Sequence, residues 1–133
     1  MKRLVLIAAL SCSTLMSGCL FYHRPLIRPE VTIPATVSSA DVQQSIHNAF
    51  RKYGWVVDRE EAGVTTAHLR QEKLFASVRV TYDHRQATID YVETKNFWHE
   101  KPANGPEMIH SRYNVWVKNI AESIDNQLNP KPQ

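Results

Sequence analysis

Apolar and polar residues alternate most regularly from Leu74 to Tyr82, where Leu74, Ala76, Val78, Val80 and Tyr82 fall on one side and Ser77, Arg79 and Thr81 on the other. A period of two marks a half-buried strand. Beyond the turn Asp83-His84-Arg85-Gln86 the apolar set returns at Ala87, Ile89 and Tyr91, which predicts a hairpin. Pairing Tyr82 with Ala87 sets Val80 against Ile89 and Val78 against Tyr91 on the core side, with Arg79 against Asp90 outside. A slip of one residue would bring the wrong faces together. Upstream, Trp55 to Arg59 and Val64 to Arg70 read as two more strands about a turn at Glu60 to Gly63. The next hairpin is expected to set Leu69 against Leu74 and His68 against Phe75.

Two stretches follow a helical period instead. Val42, Ile46, Ala49, Phe50 and Tyr53 line one face of a helix with Ser38 or Ser39 as N-cap, Asp41 in its first turn, and Arg51 and Lys52 in its last. Gly54 is placed to stop it. Glu107 to Leu128 carries the stripe Ile109, Tyr113, Trp116, Ile120 and Ile124, with Pro130 beyond its end. Between strands and last helix, Thr94 to Pro106 is expected to be a loop, because Pro102, Gly105 and Pro106 oppose regular structure. The pattern predicts an α+β domain: an N-terminal helix, a four-stranded antiparallel meander and a C-terminal helix, with both helices on one face of the sheet. Trp116 is expected to pack near Val78 and Tyr91.

The first residues have a different organisation. Lys2 and Arg3 precede the apolar run Leu4 to Leu10, and small residues follow at Ser17 and Gly18, the order of a secretory signal. A spanning helix wants about 20 predominantly apolar residues, and Ser11, Ser13, Thr14, Ser17 and Gly18 dilute this one. Met16-Ser17-Gly18-Cys19 resembles the lipobox of bacterial lipoproteins, with Met16 in the place of the usual leucine. The resemblance implies cleavage between Gly18 and Cys19, removal of residues 1–18, and attachment of diacylglycerol to the Cys19 sulfur. Leu20 stands where an aspartate would retain such a protein at the inner membrane, so the resemblance points to the outer membrane, with the inner membrane as the alternative. Two or more acyl chains make membrane residence stable where one does not.

After Cys19, the prolines Pro25, Pro29 and Pro34 punctuate a segment without helical period. Residues 19–37 are therefore expected to form an extended, semi-rigid tether, 38–129 the single α+β domain and 130–133 a tail. The alternative is that Val31 and Ile33 dock as an edge strand, the place where Pro34 is tolerated.

Processing alters the charge and cysteine readings. The chain has 16 Lys plus Arg against 13 Asp plus Glu, and losing Lys2 and Arg3 leaves 14 against 13, a net of +1. That balance gives no support to a nucleic-acid partner. Cys12 would leave with the signal, so the mature domain would hold neither a free thiol nor a disulfide.

Tyr53-Gly54-Trp55, Ala87-Thr88-Ile89-Asp90-Tyr91 and especially Ile109-His110-Ser111-Arg112-Tyr113-Asn114-Val115-Trp116-Val117 resemble a set of small, functionally uncharacterised bacterial lipoproteins with an Ile-His, Tyr-Asn, Trp pattern on a C-terminal helix. This resemblance implies a lipoprotein and supplies no activity, cofactor or catalytic residue. Elsewhere the candidate chemistry is thin. The six histidines have neither an i,i+4 His pair nor the short spacing of a zinc site, so no metal and no cofactor is expected. His110 and Asn114 would form an i,i+4 polar pair beside the apolar stripe, read first as making a hydrogen bond from the helix to a loop or to the sheet, since no nucleophile can be placed beside it. Glu60 and Glu61 fall in a turn open to water. Phe97-Trp98-His99 puts two adjacent aromatics in a loop, either as a plug at the core edge or as an exposed contact site. The expected function is a non-enzymatic envelope lipoprotein that binds a protein, peptidoglycan or lipid partner. The alternative is a small-ligand or metal-binding domain at the same place.

Overall fold

The structure, a computed structural model, describes residues 22–133. The signal of residues 1–18, the Gly18–Cys19 cleavage and the lipidation of Cys19 lie outside the described residues. In chain order the elements are β1 (His23–Pro25), β2 (Glu30–Thr32), α1 (Ser39–Lys52), β3 (Val56–Glu61), β4 (Val64–Gln71), β5 (Leu74–Tyr82), β6 (Gln86–Lys95), β7 (His99–Glu100), β8 (Met108–His110) and α2 (Ser111–Leu128). They form an α+β fold: two helices packed together, a five-stranded antiparallel sheet in the order β2-β6-β5-β4-β3, and a three-stranded sheet in the order β1-β8-β7.

The β5–β6 hairpin has the register that its alternation dictates, with Tyr82 opposite Ala87, Val80 opposite Ile89 and Val78 opposite Tyr91. Its turn is closed by Asp83, whose carboxylate accepts from the backbone N–H groups of Arg85 (2.7 Å) and Gln86 (2.9 Å). These same bonds hold the Asp83 carboxyl below its ordinary range. Past Tyr91 a bulge at Val92 sets Ser77 opposite Glu93 and leaves Val92 exposed.

The β4–β5 hairpin departs from expectation by two residues. Leu69 lies opposite Ala76, not Leu74, and His68 opposite Ser77, not Phe75. The strand runs on to Gln71 because Glu72 takes a left-handed conformation (φ 54°), which allows a two-residue turn at Glu72-Lys73. An even shift keeps every side chain on its face, so the core pattern survives.

The expected four strands become five because β2 pairs with β6, Val31 opposite Ala87. Val31 and Ile33 are buried, and Ile33 N–H donates to Arg85 O (2.7 Å). The docking alternative therefore holds for this part of the segment read as a tether, and Pro34 falls just past the last pair. The segment also carries β1, which pairs with β8.

The last helix is shorter than its stripe implied. It begins at Ser111, because Met108–His110 is drawn into strand pairing with β1 on one side and β7 on the other. Ile109 is still buried, but from a strand, and Glu107 precedes both elements. The loop expected from Thr94 to Pro106 contains the end of β6 and all of β7.

α1 and α2 are joined by Gln127, which donates to Ser45 O (3.1 Å) and accepts from Asn48 Nδ2 (3.0 Å). Asn129 just beyond α2 donates to Thr32 O (2.9 Å) and fixes the helix end against β2. The buried residues of both helices and of the five-stranded sheet belong to one apolar cluster, including Ile46, Phe50, Val78, Val80, Ile89 and Ile120. Trp116 is buried in it together with Val78, with Tyr91 packed against the same cluster. Its ring meets Trp55 (6.3 Å between centroids) and Phe97 (5.2 Å) edge-on, while Tyr91 faces Tyr113. Trp116→Ala should lower stability by about 3–5 kcal/mol through lost packing. A thermal melt of the variant within a few degrees of wild type would show that this ring is not a core member.

Candidate functional site

The residues singled out in the sequence converge where the chain first joins the domain. β1 pairs with β8, His23 opposite His110 and Arg24 opposite Ile109. Asn114, in the first turn of α2, then reads both polarities of the next stretch. Its Nδ2 donates to Pro25 O (2.8 Å), and its Oδ1 accepts from Ile27 N–H (3.3 Å). Leu26 N–H donates to Glu107 O (2.8 Å), so residues 23–27 are held without interruption.

The hydrogen bonds from helix to strand and loop expected at this pair are made by Asn114, while His110 takes a different role. His110 is the N-cap of α2, and its Nδ1 accepts from Arg112 N–H (3.1 Å). That bond requires a bare Nδ1 and suits the neutral ring. Desolvation, aided by the positive charge of Arg112 and by His23, lowers the His110 pKa below its ordinary value.

Phe97, Trp98 and His99 separate into three roles. Asn96 turns the chain with a left-handed backbone (φ 62°) and donates from its side chain to Lys73 O (2.6 Å). Phe97 is half-buried and packs edge-on against Trp116 and His110. Trp98 is 39% exposed and stacks on His23 with centroids 3.6 Å apart. His99 Nε2 lies 2.6 Å from the Glu107 carboxylate, and its Nδ1 is 3.4 Å from Tyr91 Oη. The two readings of the loop thus divide between neighbours: Phe97 plugs the core edge and Trp98 faces solvent.

Beside His99 opens a cleft of about 530 Å³ between the two sheets. Asp90 lines it and is bonded by Arg28, whose Nε lies 2.6 Å from Oδ1. The register places Arg79 opposite Asp90, but the ion pair expected between them is made by Arg28 instead. Among the described residues, neither Arg79 nor Lys101, which also line the cleft, has a carboxylate partner. The cleft therefore suits an anionic group. Tyr113 stands edge-on to Tyr91, which also borders the cleft, and is fully buried with no hydrogen-bond partner for its Oη. Burial pushes its phenol well above the ordinary range.

On the outer face of the five-stranded sheet, Phe75 is flanked by the Arg70 guanidinium (5.0 Å) and the Lys95 ammonium (5.1 Å), with His68 stacked alongside (5.5 Å). His68 and His47 each meet one carboxylate, Asp58 (2.7 Å) and Glu60 (2.7 Å). Glu60, expected in an open turn, lies in β3 and takes part in this pair. Among the described residues, no three histidine, cysteine or carboxylate side chains come together as a metal site.

No family model, curated protein or solved structure matches this chain. Tyr22, His23 and Lys101 are brought to the site by tertiary structure and have no local sequence signal. Arg79 was legible as the outward cross-strand neighbour of Asp90, and Glu107 as the expected start of the last helix.

Two measurements follow from this geometry. Phe97→Ala should cost about 2–3 kcal/mol, below the figure for a fully buried ring, while Trp98→Ala should cost about 1 kcal/mol or less. Equal losses in denaturant unfolding would contradict the division of roles. For His110, a folded pKa below the unfolded value of about 6.5 means that its contribution is complete above that pH and is lost as pH falls through the folded value. His110→Asn keeps a capping acceptor that does not titrate, so its stability should fall less steeply than wild type between about pH 7 and about pH 5. Parallel profiles would remove His110 from the acid response.

Proposed function

We propose that the protein is a lipid-anchored, non-enzymatic interaction module of the cell envelope, held at the outer membrane through acyl chains on Cys19 and facing the periplasm. The inner membrane is the alternative location. The observation that carries this reading is how firmly the fold holds the chain just after Cys19. β1, Asn114 and β2 together tie residues 23–33 to the domain. Such fixing gives an attachment at Cys19 a mechanical consequence, because force or position at the anchor passes directly to the folded body. The proposed signal and lipobox supply the attachment itself.

For the partner, an envelope protein or peptidoglycan, the outer sheet face offers Phe75 between Arg70 and Lys95. An aromatic ring framed by cations suits a surface that carries carboxylates. A second reading, a small-ligand module, draws on the cleft with Arg79 and Lys101, whose charge favours an anionic ligand.

Cys19→Ser should leave a precursor that keeps residues 1–18 and takes up no acyl label in cells fed a radioactive fatty acid. Label in that variant, or a wild-type mature protein that retains residues 1–18, would refute the anchor.

A further inference from the structure

The chain between the proposed attachment and the domain is too short to act as a spacer. Tyr22 is three residues beyond Cys19, and three peptide units reach at most about 11 Å. Tyr22 already belongs to the domain: its carbonyl accepts from Ser111 N–H, and β1 begins at the next residue. The polar layer on each side of a bilayer is about 5–8 Å thick. Acyl chains on Cys19 would therefore bring Tyr22 into that layer or directly above it.

The surface around Tyr22 has the composition of a membrane interface. Tyr22 is 57% and Trp98 39% exposed, and both are among the large apolar side chains that the domain leaves open to solvent. Neither ring is loose. Tyr22 lies parallel to His110 (5.5 Å, 12°) and Trp98 parallel to His23 (3.6 Å, 15°), so four rings from three chain segments form one platform. Rings of Trp and Tyr prefer the headgroup level, where an apolar body and a polar edge are both satisfied. Arg112 is exposed next to the His110 cap, and a guanidinium matches a lipid phosphate.

From this we infer that the face built by Tyr22, His23 and Trp98 docks on the phospholipid headgroups of the leaflet that holds Cys19, so that the domain lies on the membrane rather than hanging free of it. The inference rests on acylation of Cys19. The aromatic stacking makes the platform a preformed surface, so docking orders few additional side chains.

Trp98 is a native reporter, since Trp55 and Trp116 are 5% and 8% exposed. The full-length gene product, purified after processing, would be placed in vesicles of phosphatidylethanolamine and phosphatidylglycerol whose acyl chains carry bromine near the headgroups. Brominated lipid should quench its tryptophan emission, aqueous iodide should quench it weakly, and Trp98→Phe should lose the lipid-dependent quenching. The intact mass of the same sample reports acylation separately. Acylated protein quenched by iodide and not by brominated lipid would overturn the inference and leave the anchor standing. An unmodified Cys19 would overturn both. The wild-type comparison of the two quenchers decides the matter even where the variant is destabilised.

Discussion

The pairing of β1 with β8, sealed by Asn114, is the contact on which the arrangement of this protein depends. Without it, residues 23–27 would be a proline-punctuated linker and Met108–His110 would have no strand partner on that side. α2 could then extend backward through Ile109, as its apolar stripe allows. With it, His110 becomes a cap, Trp98 gains His23 as a stacking partner, and the Glu107 carboxylate is brought to the His99 ring. One asparagine serves this junction twice, as donor to Pro25 O and as acceptor from Ile27 N–H. Pro25 has no N–H of its own to satisfy, so the chain crosses the helix start with its polar groups matched.

The histidines show how neighbours set chemical character. His47, His68 and His99 each lie 2.6–2.7 Å from a single carboxylate, on partly exposed parts of the surface where such pairs contribute modestly. His110 is different, enclosed by Tyr22 and Phe97 with Arg112 close by, and the neutral ring is the form that its surroundings favour. The same residue type therefore pairs, from a helix or strand, with a carboxylate in three places and caps a helix in a fourth. The carboxylates taken up in these pairs, together with Arg28 on Asp90, leave Arg79 and Lys101 as the cations of the cleft without a carboxylate partner.

Two surfaces consequently differ in kind. The aromatic platform at Tyr22 and Trp98 is set by ring stacking and adjoins the segment leading from Cys19. The outer sheet face is set by strand alternation, which turns Phe75 away from the core and between two cations. On the proposed function the first meets the membrane and the second remains available to an envelope partner. The two tasks fall to separate elements, so neither surface has to be dismantled for the other to act.

Local pattern was sufficient for α1, with its Ser38 cap and Gly54 stop, and for the β5–β6 hairpin, where alternating polarity excludes a one-residue slip and the Asp83 turn fixes the length of the connection. The inward stripe Tyr113, Trp116, Ile120 and Ile124 was legible for the same reason. The two-residue shift of β4 on β5 was not, since it preserves the faces and turns on the backbone of Glu72. Phe97, Trp98, His99, His110 and Asn114 stood out in the sequence, but what gathers them did not: His23 meets His110, and Asn114 meets Pro25, across more than eighty residues of chain. Periodicity reports which side of an element is buried, and it carries no record of which distant segment arrives to cover an edge. That choice belongs to the tertiary structure, where the unpaired backbone of a short strand is satisfied only when a second strand is brought beside it.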